Sequence, residues 1–156
     1  MRWTPHVTVA CVIEHQGQFL LVEELSNNQR VLNQPAGHLE LNETLIEAAV
    51  REALEETAWQ IEVTDLLGFY TYTSPHNQTC YHRWCFIAKP VRHLQQRELD
   101  PAILQTLWLD ADAIRQQQTR LRSPIVLQVI EDYLAGVRYP LALLNEHPPH
   151  AEHLPG

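Results

Sequence analysis

Apolar and polar residues along this chain of 156 residues switch between a strand-like and a helix-like period. Val7–Glu14, rich in Val, Ile and Cys, predicts a buried strand. Gln16-Gly17 turns it into a second strand over Gln18–Glu24, predicting a hairpin. Arg30–Pro35 reads as a short extended piece leading into Ala36-Gly37. A helical period follows, opened by a capping box. Thr44 stands three residues before Glu47, which places a helix from Leu45 to Thr57. Ile61–Thr73 and Thr79–Ala88 are rich in β-formers and are separated by Ser74-Pro75-His76-Asn77, a run of turn residues. Gln105–Leu109 predicts a last strand, and Asp110 caps a short helix over Ala111–Gln118. Ser123-Pro124 starts a further helix running to Ala135 and closed by Gly136, with Ile125, Val126, Val129, Ile130 and Tyr133 as its apolar stripe. No linker, repeat or low-complexity tract interrupts this order. The pattern predicts one mixed α/β domain over residues 1–144 and a loose tail over 145–156.

The helix from Leu45 to Thr57 carries the unusual chemistry. At about 100° per residue, Ile46, Val50, Ala53 and Leu54 share one arc, expected to face the core. Glu47 and Arg51, four apart in the favourable acid-to-base order, are expected to face water. The remaining arc starts small and apolar with Leu45, Ala48 and Ala49 and ends acidic with Glu52, Glu55 and Glu56. Glu52 is a helical neighbour of both other glutamates, and like charges at that spacing cost about 0.2–0.5 kcal/mol per pair. A hard divalent cation reverses the sign, because Mg²⁺ takes oxygen ligands, often one or two carboxylates with waters and substrate phosphates. A pair of glutamates would read simply as a charged helix end. Three on an arc that begins apolar point to a cation.

Composition narrows the function classes. A formal net charge of −8 and a sequence pI of about 5.5 argue against a grip on a nucleic-acid backbone, which needs clustered Lys and Arg. An acidic protein that handles phosphates needs cations in between. Cys11, Cys80 and Cys85 are an odd set without a C-x-x-C pair, so they read as small thiols in a reducing cytoplasm and support neither a disulfide framework nor a zinc knuckle. Met-Arg-Trp-Thr-Pro-His offers no signal-peptide core, and no apolar run reaches membrane-spanning length. His6, His15, His38, His76, His82 and His93 lack metal-ligand spacing, and His147, His150 and His153 recur in a Pro-rich tail that reads as mobile. Tyr70, Tyr72, Tyr81 and Trp84 alternate with polar residues on strands; each is expected to pack in the core, with stacking on a flat substrate ring as the alternative.

Gly37-His-Leu-Glu-Leu-Asn-Glu43, followed after seven residues by Arg51-Glu52-Ala-Leu-Glu55-Glu56, resembles the Nudix box: a glycine, five residues, a glutamate, seven residues, then Arg-Glu-(apolar)-x-Glu-Glu. Gly37, Glu43, Arg51, Glu52, Glu55 and Glu56 match its charged and first-glycine positions. Ala58 departs where the box ends in glycine, and Trp59 where it has an aliphatic residue. The resemblance implies an α/β/α sandwich with a mixed sheet and metal-assisted attack of water on a phosphoanhydride. It further implies Mg²⁺, with Mn²⁺ as a substitute, held by Glu52, Glu55, Glu56 and the carbonyl of Ala36, with Glu52 as first choice of base. Glu43 and Arg51 would pair, Glu40 would assist, and a late-loop carboxylate, Glu98 or Asp100, would complete the ligands. Outside the box, Pro5–Val12, Asn33–Glu40, Leu121–Pro124 and Arg138–Leu141 look like a branch of small bacterial phosphatases acting on nucleoside tri- and diphosphates and thiamine-pathway pyrophosphates. A monomeric, cytoplasmic enzyme for small phosphorylated metabolites is implied, with neither membrane nor nucleic-acid polymer as partner. The alternatives are hydrolysis of ADP-ribose or a dinucleoside polyphosphate, for which Pro75 is the one suggestive residue, and a non-catalytic nucleotide sensor.

Overall fold

The computed structural model describes residues 2–148. Strands β1 (His6–His15) and β2 (Gln18–Ser26) form the expected hairpin. Gln16 and Gly17 both take positive φ, 52° and 80°, the mirror-image turn whose twist matches that of the strands. β3 (Gln29–Asn33) adds antiparallel to β2, and the three-residue β4 (Ala36–His38) adds antiparallel to β1. The extended piece expected over Arg30–Pro35 is strand only as far as Asn33, and the Ala36-Gly37 it leads to belongs to a second strand on a different partner. Pro35 sits between them, where a residue without an N–H interrupts a ladder at least cost.

β5 (Trp59–Thr73) and β6 (Cys80–His93) form a long antiparallel hairpin, and β6 runs parallel to β1. β7 (Ile103–Leu109) closes onto β2. The strand order is β3-β2-β1-β6-β5, with β4 also on β1 and β7 also on β2. One parallel pair among antiparallel ones makes the sheet mixed. Helix α1 (Leu45–Thr57) covers one face through Val9, Cys11, Ile13 and Phe86, and helix α3 (Pro124–Leu134) covers the other through Ala10, Val12, Phe19 and Cys85. β1 is therefore buried on both sides, which explains its unbroken apolar run. The short helix α2 (Ala111–Gln116) ends earlier than expected, and a single 3-10 turn over Gln118–Arg120 follows it. Cys11 and Cys85 are buried and Cys80 is partly exposed. Among the described residues no helix is long and apolar enough to cross a membrane.

Two expectations for α1 are corrected. Its buried side chains are Leu45, Ala48, Ala49, Ala53, Glu56 and Thr57, whereas Ile46, Val50 and Leu54 are half-buried. Small alanines bring the helix backbone close to the sheet, with the Cys11 thiol against the carbonyl of Ala49, and that approach decides which arc faces inward. The acidic end of the helix therefore lies on the buried arc. Arg51 does not face water beside Glu47; its side chain is turned inward and is 20% exposed. The tail expected to be loose is anchored at its start, where the Glu146 carboxylate accepts from the Leu45 N–H at 2.9 and 3.1 Å. His150 and His153 lie outside the described residues.

Candidate active site

Helix α1 starts and stops as its sequence dictates. Thr44 Oγ1 accepts from the Glu47 N–H at 3.1 Å while the Glu47 carboxylate accepts from the Thr44 N–H at 3.2 Å. At the other end Ala58 takes the left-handed conformation at φ 62°, and its N–H bonds the Leu54 carbonyl at 2.9 Å. The helix thus ends as it would with glycine, at a backbone cost of roughly 1–2 kcal/mol for a residue with a Cβ.

Arg51 is the hub. Its Nε and Nη2 donate to the two oxygens of Glu43 at 2.7 and 2.9 Å, the bidentate fork that guanidinium geometry favours. Nη1 donates to Glu52 at 2.7 Å and Glu55 at 3.2 Å, and Nη2 also donates to the His38 carbonyl at 3.0 Å. Glu40, more exposed, lies 3.5 Å from the same guanidinium. One cation thereby ties the Gly37–Glu43 loop to the acidic turn of the helix. The Glu43 carboxyl is held below its ordinary range by the Arg51 hydrogen bonds. Gly37 packs directly on Glu52: a Cβ there would overlap the Glu52 carboxylate, so only glycine admits this approach.

Glu56 stands apart from the Arg51 network. It is 8% exposed, and among the described residues no Lys, Arg or His lies in salt-bridge range of it. Its one hydrogen bond comes from the Ala36 N–H at 2.9 Å. Burial pushes its carboxyl up to about 8, the Ala36 N–H works against this, and the charges of Glu24, Glu52 and Asp100 add to it. Glu52 is also raised, by burial first, with Arg51 opposing. The β1–β4 ladder hydrogen-bonds Cys11 to Pro35 and Leu39 to Val7. The alternate pair Ala10–Ala36 is then the non-bonded one, so the N–H and C=O of Ala36 both point away from β1 toward the helix.

Of the late-loop pair, Asp100 is brought to the helix end: its N–H bonds the Glu55 carbonyl at 2.8 Å, and its charge bears on Glu52 and Glu56. Glu98 is exposed. Among the described residues no three His, Cys, Asp or Glu side chains converge into a ready cage. Arg51 holds oxygens of Glu52 and Glu55, and the Ala36 N–H holds one of Glu56. The donors are nonetheless all hard oxygens, and a buried carboxylate without a counter-charge is a poor end state. This set fits a divalent cation of the Mg²⁺ type, which needs only one or two carboxylates from the protein.

The pattern of the sequence did not reveal a second layer beside these residues. Glu24, on β2 and 7% exposed, accepts from Asn33 Nδ2 at 3.3 Å and from Arg122 at 2.6 Å. Arg83, on β6 and 7% exposed, donates to Asn33 Oδ1 at 3.0 Å and Gln34 Oε1 at 3.1 Å. The Leu121-Arg-Ser-Pro124 segment is held here because the Arg122 N–H bonds the Leu32 carbonyl at 2.9 Å. An open groove of about 590 Å³ follows, lined by Tyr72, Leu121, Arg122, Pro124 and Leu127 among others. Of the other aromatics, Tyr70 is tied to Asp132 at 2.7 Å, Trp84 packs on Phe69, and Tyr81 lies beside His6 and His38. Pro75 sits in an exposed turn.

Comparison with known proteins matches residues 4–129 to the model of the NUDIX domain. The phosphatase NudJ of Escherichia coli K12 is 39% identical over 142 residues, spanning 91% of this chain and 92% of that protein. A NUDIX hydrolase from Nitrosomonas europaea superposes with a TM-score of 0.90 at 45% identity, covering 92% of this chain and 98% of its own. The dihydroneopterin triphosphate pyrophosphohydrolase of E. coli shares the fold at a TM-score of 0.66 and 22% identity, over 83% of this chain and 95% of its own.

Proposed function

The chain belongs to the Nudix family and is a Nudix hydrolase acting on phosphoanhydride substrates, and from that premise we propose that it is a Mg²⁺-dependent phosphatase of small nucleoside di- and triphosphates and of related pyrophosphates such as thiamine pyrophosphate. The observation that carries this reading is Glu56: a buried carboxylate at the end of an acidic turn, beside Glu52 and Asp100, with no cation among the described residues to balance it. The similarity to NudJ supports a phosphatase over the ADP-ribose and dinucleoside alternatives, and the retained carboxylates speak against a non-catalytic sensor.

In this reading Glu52, Glu55 and Glu56 hold the cation together with the Ala36 carbonyl, and Asp100, unlike Glu98, is positioned to join them. When bound, the cation supplies charge neutralisation at the phosphate oxygens and acidifies water. Glu52 takes the proton from the attacking water. Arg51 keeps one Glu52 oxygen engaged and so sets which oxygen is free, while Glu43, bound bidentately, keeps Arg51 in place. Gly37 lets the carboxylate sit against the strand. The groove beside Tyr72 is open, with Gln118, Arg122, Ser123, Gln128 and Glu131 beside its apolar lining, and an open wall suits several organic groups better than one base.

The test is kcat/KM across purine and pyrimidine nucleoside di- and triphosphates, thiamine pyrophosphate and ADP-ribose, with products identified. Values within about two decades across the first groups, with orthophosphate released, are expected, because loose apolar contacts discriminate by only about 10–200-fold. A preference for ADP-ribose by several further decades, with AMP and a sugar phosphate as products, would overturn the assignment.

A further inference from the structure

Arg83 is a buried guanidinium whose hydrogen-bond partners in the protein are both neutral. Its Nη2 donates to Asn33 Oδ1 and Gln34 Oε1, and among the described residues no carboxylate lies within 4.0 Å of it. Neither amide can turn away. Gln34 Nε2 is spent on the Val126 carbonyl at 2.8 Å, and Asn33 Nδ2 on Glu24 at 3.3 Å, so both oxygens are fixed on the arginine. A guanidinium carries five N–H donors, and these amides use only those of Nη2. No buried side-chain nitrogen or oxygen is left without a partner among the described residues, so Nε and Nη1, which point to different sides with Cδ between them, are not sealed from solvent.

A charge taken out of bulk water and met only by amides is poorly compensated, and an arriving anion relieves that. Its position suits one kind of anion. Asn33 alone separates the Arg83 guanidinium from Glu24, whose charge bears on Glu56. Asn33 and Gln34 also lead through Pro35 to Ala36, the residue whose N–H holds Glu56. On the other side, Arg83 lies opposite Tyr70 on β5, two residues before Tyr72 of the groove. The guanidinium is thus linked through Asn33 and Gln34 to residues that bear on the acidic turn, and across the β5–β6 ladder to the strand that carries Tyr72 of the groove.

We propose that Arg83 is a substrate-binding residue that takes a phosphate group through the Nη1 N–H groups left free by Asn33 and Gln34. The proposal rests on the reading of the acidic turn as a phosphoanhydride-cleaving site. The probe is α,β-methylene-ADP, whose bridging carbon blocks cleavage, titrated calorimetrically with Mg²⁺ present. Arg83→Gln, which keeps a polar end but removes the charge, is expected to weaken binding roughly 10- to 100-fold, and Arg83→Lys, which keeps the charge, to restore most of it. Gln34→Glu places a carboxylate on Arg83 and is expected to weaken binding to a similar extent in a cooperatively melting protein. Wild-type affinity in both Arg83→Gln and Gln34→Glu would overturn the proposal. So would equal losses in Arg83→Gln and Arg83→Lys, which would mean that shape and not charge is at stake. The underlying function reading fails separately, on turnover by Glu56→Gln, which this titration does not measure.

Discussion

Replacing Glu56 by Gln should stabilise the protein when no divalent cation is present, and the size of the effect follows from burial. Gln keeps an oxygen to accept the Ala36 N–H, so the hydrogen bond survives while the buried charge goes. In the folded chain the carboxyl is pushed up to about 8 from an ordinary 4.5. A folded value above the unfolded one means the folded state holds the proton more tightly. Stability is then full below about 4.5 and is lost as pH rises through about 8. That span sets a ceiling of about 5 kcal/mol. Residual solvent contact and relaxation around the buried charge reduce the expected gain to about 1–3 kcal/mol above the upper value. For a chain of this length the melting temperature should rise by about 3–10 °C. The assay is thermal unfolding in chelator at mildly acid and mildly alkaline pH, wild type against variant. A gain that is large at alkaline pH and shrinks near pH 5 is predicted; a gain independent of pH, or a loss, would refute the burial argument.

Gly37→Ala should cost roughly 100-fold or more in turnover, because its Cβ displaces the Glu52 carboxylate and small misplacements at a reacting centre are that expensive; turnover within a few-fold of wild type would mean Glu52 need not sit where it does. Ala58→Gly should relieve the left-handed strain at φ 62°, raising stability by about 0.5–1 kcal/mol once the extra unfolded-chain entropy of glycine is subtracted. Thermal melts showing no gain would mean that the helix end is not strained.

What the sequence made legible is local or fixed in spacing. The Thr44–Glu47 box, the Gln16-Gly17 turn and the Ser123-Pro124 cap each act within three residues, so their partners are visible from one position. The carboxylates of the acidic turn were legible because helix periodicity alone puts them side by side. Arg51 was misjudged for the converse reason: its strongest partner, Glu43, lies outside the helix, so the wheel showed only Glu47. The buried arc was misjudged because helix–sheet distance, set by alanines, outweighed side-chain size. Glu24 and Arg83 leave no local trace, and Arg122 shows only as part of the Leu121–Pro124 segment, without its partner. The Arg83–Gln34 and Arg122–Glu24 contacts span 49 and 98 residues, and only the tertiary fold brings them together.

The central claim is that the acidic end of α1 cleaves a phosphoanhydride with a divalent cation held by its carboxylates. The direct measurement is orthophosphate release from ADP and thiamine pyrophosphate by three samples: wild type with Mg²⁺, wild type in EDTA, and Glu56→Gln with saturating Mg²⁺. Steady release is predicted from the first alone, with the other two lower by at least roughly 100-fold. Undiminished release in EDTA, or by folded Glu56→Gln at saturating substrate, would contradict it.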